Sequence, residues 1–263
     1  MILIAGHYCH DVLIARDGSE TRTLGGSASY GSAILDAFGE PYEVAAKVGA
    51  DFLYSAQVSK QPQVVAGRTT SFVDDYRGGE RIERVSAVCE PLGADDLPLG
   101  PFTVGLAFGV AGEVGLQVLA RMRELCGLVL ADAQSLMRHV LDSGEIALRP
   151  LDPDAVQNLD YLKASRKEAA LLDLSALRQR VKLIVTDGPR GSTLLTASSE
   201  LHIAGLPAVE RDPTGAGDCF LTGFALGLAR GYSEERALQL ASWCGARAVE
   251  SPGVPRLTQG SLS

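Results

Sequence analysis

The sequence predicts an α/β fold: a doubly wound, mostly parallel sheet with a small β lid. Three observations carry that reading. Short apolar, β-rich runs recur at residues 2–5, 42–48, 104–108, 127–131, 161–163 and 182–186. Helix-like stretches lie between them at residues 27–38, 114–125, 167–172 and 219–229. Strands buried on both faces read as such apolar runs, and their alternation with helices indicates parallel order. Residues 8–15 and 64–88 break this rhythm as extended structure, the second folding as a hairpin around Arg77-Gly78-Gly79-Glu80. Strands inserted there form a flap over the loops at the strand C-termini, where such sheets bind ligands. No repeat, low-complexity tract or proline-rich linker cuts the chain, so residues 1–263 read as one domain, with residues 258–263 a frayed tail.

Bulk properties narrow the function. Apolar residues make up 46% and charged residues 21%, which is ordinary for a soluble globular protein. The net charge of −8 argues against nucleic-acid and anionic-membrane partners, which need excess Lys and Arg. A neutral polyol suits this background without a special basic pocket. Cys9, Cys89, Cys126, Cys219 and Cys244 show no Cys-x-x-Cys spacing and read as reduced thiols of a cytoplasmic protein. His7, His10, His139 and His202 show no metal-ligand spacing.

Several motifs carry chemistry. Leu24-Gly25-Gly26-Ser27-Ala28-Ser29 precedes a helix, where small residues let backbone and hydroxyl groups meet a polar ligand; a tight turn with a Ser N-cap explains it equally. Lys47-Val48-Gly49-Ala50-Asp51 ends a strand with a carboxylate that serves either a ligand or a helix cap. Ser165-Arg166-Lys167-Glu168 fits a capping box, and Glu168 could instead hold Mg²⁺ through waters. Thr186-Asp187-Gly188-Pro189-Arg190-Gly191 leaves a strand through a turn flat enough for a nucleotide base or phosphates, or simply joins two strands. Around Trp243, the small residues Ala241, Gly245, Ala246 and Ala248 give a helix face that suits a base or close packing on the sheet.

The most informative string is Asp212-Pro213-Thr214-Gly215-Ala216-Gly217-Asp218, which runs directly into an apolar helix. Gly215, Ala216 and Gly217 are too small to block an anion and let several N–H groups converge on one point. The helix beginning there adds the positive end of its dipole. Asp218 puts a carboxylate at the rim of that cradle. An anion site beside a base is what phosphoryl transfer to a hydroxyl requires.

In this order, the pieces resemble the PfkB (ribokinase-like) carbohydrate kinases over essentially the whole chain. The resemblance rests on Gly25-Gly26, Gly49 with Asp51, Thr186-Asp187-Gly188 and, most specifically, residues 212–218. It implies a ribokinase-like α/β/α domain with a small β lid, and a homodimer through the lid as an open question. It further implies ATP and Mg²⁺, Asp218 as general base, and the backbone of Gly215, Ala216, Gly217 and Asp218 as anion hole. Thr186, Gly188, Gly191 and Ala246 would then hold the nucleotide, and Asp11, Gly25, Gly26, Ser29 and Asp51 the acceptor. Glu168 would anchor the metal through water. Asp11 suits polyol hydroxyls because a carboxylate accepts two at once.

The chain departs from the common pattern at Tyr30, Ser165 and Asp132-Ala133-Gln134, where the family usually carries Asn. With Tyr8-Cys9-His10-Asp11-Val12-Leu13-Ile14, Lys47-Val48-Gly49 and Lys163-Ala164-Ser165, it resembles the plant inositol-kinase branch. Myo-inositol is therefore the expected acceptor, with ribose, fructose or adenosine as alternatives. A binding or regulatory protein that kept the fold without turnover is the alternative of another class.

Overall fold

A computed structural model of the chain describes residues 1–79 and 82–257. Eight strands form its central sheet in the order β16-β15-β14-β13-β10-β9-β1-β4. Six run parallel: β4 (Tyr42–Ala45), β1 (Ile2–Ala5), β9 (Phe102–Ala107), β10 (Cys126–Asp132), β13 (Tyr161–Ser165) and β14 (Lys182–Thr186). β15 (Ser192–Leu195) and β16 (Glu200–Ile203) extend one edge antiparallel.

Alternation along β1 sorts its side chains onto two cores. Ile2 and Ile4 pack with Phe108, Phe220, Leu221 and Phe224 beneath α1 (Ser27–Ala37), α7 (Ala216–Ala229) and α8 (Glu234–Ala248). Leu3 and Ala5 pack on the other face with Val118, Leu119 and Met122 of α2 (Leu116–Leu125). The sheet is therefore covered on both sides, as the continuous apolar runs predict. The short helices α3 (Ala133–Met137), α4 (Pro153–Val156), α5 (Arg166–Ala169) and α6 (Leu174–Leu177) complete the connections.

A second, four-stranded sheet has the order β3-β2-β7-β8. It joins β2 (Cys9–Ile14) and β3 (Glu20–Gly25) to β7 (Ser71–Asp75) and β8 (Ile82–Ala87), with β2 and β7 parallel and the outer pairs antiparallel. Glu80 of the predicted hairpin turn and the tail at residues 258–263 lie outside the described residues. Three features differ from the sequence reading. The run at residues 42–48 is two strands, because β5 (Lys47–Gly49) leaves the large sheet to pair with β6 (Gln63–Val65). At the start of β5 the buried Lys47 ammonium meets Asp96 at 2.7 Å and Glu90 at 2.9 Å. β3 is polar enough to read as a loop, and the hairpin of β11 (Arg138–Val140) and β12 (Ile146–Leu148) is too short to show periodicity.

α7 is the element on which the site depends. It packs on α8, α1 and the central strands, and its Phe224 meets Tyr161 of β13 edge to face at 5.0 Å. Phe224→Ala opens a cavity beneath that helix and should cost about 3–5 kcal/mol of unfolding free energy in urea titrations, with the slope of the transition unchanged.

Candidate active site

Two cavities meet at the carboxyl edge of the central sheet. The first, of about 320 Å³, is lined by residues of both sheets, among them Asp11, Ser27, Tyr30, Asp132, Lys163 and Asp218. The second, of about 190 Å³, is mostly apolar and lies behind the start of α7 between Pro189, Leu206, Ala208, Phe220, Ala246 and Val249. Thr186 and Gly217 line both.

The chain reaches this junction through the loop before α7. Asp212 holds the loop by accepting from Thr214 N at 2.9 Å and Gly253 N at 3.0 Å. Gly215 then turns left-handed at φ 73°, and the ring of Tyr30 lies where its Cβ would be. Only glycine satisfies both conditions. No side chain caps the start of this 14-residue helix; Ala216 N donates to Pro213 O at 3.3 Å, and the positive end of the helix dipole faces the junction.

Asp218 sits buried in that first turn. Gln134 donates to its Oδ1 at 3.2 Å and reaches Ser27 Oγ at 3.4 Å. Burial pushes the Asp218 carboxyl up to about 7, and the nearby Asp132 adds to the rise. Lys163, the Ser27 hydroxyl and Arg138 pull the other way. A carboxyl poised near neutrality, aimed into a cavity beside uncapped N–H groups, is equipped to accept a proton from a hydroxyl.

The structure brings most of the sequence-predicted residues to these two cavities. Asp11, Gly26, Glu168, Gly215, Gly217 and Asp218 line the larger one, and Thr186, Gly188, Gly191, Ala216 and Ala246 the smaller. Gly25 stands just behind, where a Cβ would occupy the position of the Asp11 carboxylate. Asp51 and Ser29 are different. The Asp51 carboxylate accepts from Thr69 N and Thr69 Oγ1, both at 2.7 Å, and so fastens the loop after β6. Ser29 turns its hydroxyl back on Gly26 O at 2.7 Å and lines a separate cavity beside α1. Neither lines the larger cavity.

Glu168 takes the capping-box role at the start of α5. Its Oε2 accepts from Ser165 N at 2.7 Å and Ser165 Oγ at 2.8 Å, closing the capping box, while the residue lines the larger cavity. Among the described residues no cluster of three metal-ligating groups exists. Mg²⁺ suits such a setting, since it keeps several waters and takes one or two carboxylates plus phosphate oxygens. Ser27, Asp132, Gln134 and Lys163 escape sequence reasoning. The hints are the Ser27 hydroxyl in the early glycine motif, the Lys163-Ala164-Ser165 string, and the departure of Asp132-Ala133-Gln134 from the common pattern.

An α/β/α sheet with an uncapped glycine-rich helix start and a buried carboxylate between two cavities defines a phosphotransferase of the carbohydrate-kinase type. Comparison with known proteins agrees. Residues 131–258 match the model of the pfkB family carbohydrate kinases. Inositol 3-kinase of Zea mays is 39% identical, covering 96% of this chain and 73% of its own. That of Oryza sativa subsp. japonica is 41% identical, covering 96% and 69%. A pyrophosphate-dependent kinase in the ribokinase family, solved with a pyrophosphate analog and myo-inositol, superposes with a TM-score of 0.83 at 21% identity, covering 100% and 99% of the two chains. This chain belongs to the PfkB carbohydrate kinase family. It is a kinase with the ribokinase-like fold.

The raised carboxyl has a consequence for stability. From the ordinary carboxylate range up to about 7, folded Asp218 holds a proton that the unfolded chain has already released. Stability from this group is therefore lost as pH rises through that window. Asp218→Asn should stabilise the fold at about pH 8 by about 1–3 kcal/mol, with the gain shrinking toward about pH 4, as read by thermal melts across pH.

Proposed function

We propose that this protein transfers the γ-phosphoryl group of ATP to a hydroxyl of myo-inositol, with Mg²⁺. The observation that carries the reading is Asp218, buried at the start of α7 where the two cavities share Gly217 and Thr186. The inositol 3-kinases of maize and rice, matched over nearly the whole chain, support the choice of acceptor.

In this reading the apolar cavity takes the adenosine, with Ala246, Gly188 and Pro189 among its walls. The phosphates run past Gly217 into the larger cavity. Asp11 accepts from the polyol hydroxyls, while Gly25 and Gly26 leave it room. As the acceptor oxygen attacks the γ-phosphorus, the Asp218 carboxylate takes the hydroxyl proton and ADP leaves. The N–H groups of Gly215, Ala216 and Gly217 stabilise the charge in transfer. Mg²⁺, held through water by Glu168, would neutralise phosphate oxygens. Five free, buried cysteines agree with a cytoplasmic site of action, and exposed Leu13 and Ile82 on the small sheet with a homodimer through it.

Three experiments test this. ADP release across inositols, ribose, fructose and adenosine should be fastest with myo-inositol; turnover of adenosine alone would refute the acceptor. General-base help contributes about 10²–10⁴-fold, so Asp218→Asn should lower kcat by about that factor and leave ATP affinity nearly unchanged. Glu168→Gln should instead raise the Mg²⁺ concentration needed for half-maximal rate. A folded Asp218→Asn protein with wild-type turnover would end the proposed mechanism.

A further inference from the structure

We propose that Lys163 is a catalytic residue whose ammonium binds the phosphoryl group in transfer, held in place for that purpose by Asp132. The proposal rests on the kinase reading above and adds to it a cation which that reading does not use.

Lys163 ends β13 at the carboxyl edge of the sheet, one strand from Asp132 at the end of β10, and the two are register partners. Its Nζ lies 2.6 Å from Asp132 Oδ2, and both side chains are nearly sealed from solvent, at 6% and 1% exposure. The other carboxylate oxygen of Asp132 is occupied too, accepting from Gln134 N at 3.2 Å at the start of α3. The ammonium is thereby fixed from below.

Its far side meets the anion loop. A Cβ on Gly217 would come within 2.5 Å of Lys163 Nζ, so the missing side chain at Gly217 is what lets the ammonium reach the start of α7. Burial opposes the charge on Lys163, and the fields of Asp132, Glu168 and Asp218 outweigh it, so the amine stays protonated. An ammonium carries three donors. Asp132 takes one, and among the described residues no other acceptor reaches it.

The other cations nearby are more exposed than Lys163. Arg138 lines the same cavity but lies 4.0 Å from Glu83 of the small sheet. Arg166 and Arg190 both pair with Asp187. A purely structural ion pair would need neither the cavity wall nor the glycine. Lys163 has both, and it faces the point where the uncapped helix start, Asp218 and the donor path converge.

The test compares two ligands and two variants. Lys163→Met combined with Asp132→Asn removes both charges together, so neither is left buried and unpaired. Lys163→Gln alone is the second variant, with folding of each checked by circular dichroism and thermal melting. In any folded variant kcat should fall about 10²–10³-fold, the loss typical of one preorganised donor to a developing charge. Calorimetry with Mg²⁺ and β,γ-methylene ATP should show affinity at least about tenfold weaker, while ADP affinity stays within about twofold. Equal losses for the two nucleotides, or kcat near wild type, would overturn the assignment. Wild-type protein run alongside separates the two levels of failure. If it turns over none of the acceptors, the proposed function falls and this proposal with it. If it is active and the variants match it, Lys163 alone is excluded.

Discussion

The site is organised around a charge imbalance that the fold must tolerate: two buried carboxylates, Asp132 and Asp218, flank one buried ammonium, Lys163. Removing charges from water is costly unless they are paired and hydrogen-bonded. Asp132 and Lys163 satisfy that demand mutually, across neighbouring strands. Asp218 does not, and its carboxyl responds by holding its proton up to about 7. The surrounding architecture keeps this arrangement from relaxing. Burial keeps all three groups largely from solvent, α7 fixes the carboxylate, and Gln134 restrains one of its oxygens.

Small residues do the complementary work. Gly215 turns against the Tyr30 ring, and Gly217 yields its side-chain volume to Lys163. The resulting junction is narrow, with Thr186 and Gly217 the residues shared by the two cavities. Phosphoryl transfer relies mainly on positioning and electrostatics rather than covalent chemistry by the protein, so such a junction can be assembled from backbone and a few charges.

Much of this was legible in the chain. The apolar runs marked β1, β9, β10, β13 and β14 because parallel strands buried on both faces leave no polar alternation to obscure them. The glycine-rich string of residues 212–218 announced the turn into α7 because its conformation needs those residue types locally. Asp51 stayed ambiguous in the chain, since a strand-end carboxylate looks the same whether it meets a ligand or a backbone; here it holds Thr69, 18 positions later. Gln134, Ser27 and Lys163 stayed hidden for a related reason. Gln134 meets Asp218 across 84 positions and Ser27 across 107, and no local pattern records so distant a meeting. The polar β3 was missed because it lies in the small sheet, with little apolar burial to impose alternation.

The two cavities draw on different parts of the molecule. Asp11, Phe72, Asp74 and Glu83 bring the small sheet into the larger cavity, whereas the walls of the smaller one come from residues 186–249. Inheritance can therefore act on them separately. On the proposed assignment of the cavities, drift in the small sheet would reshape what is accepted while leaving the means of delivering phosphate intact. A lineage built on this plan can explore new sugars and polyols without passing through a form that has lost its fuel.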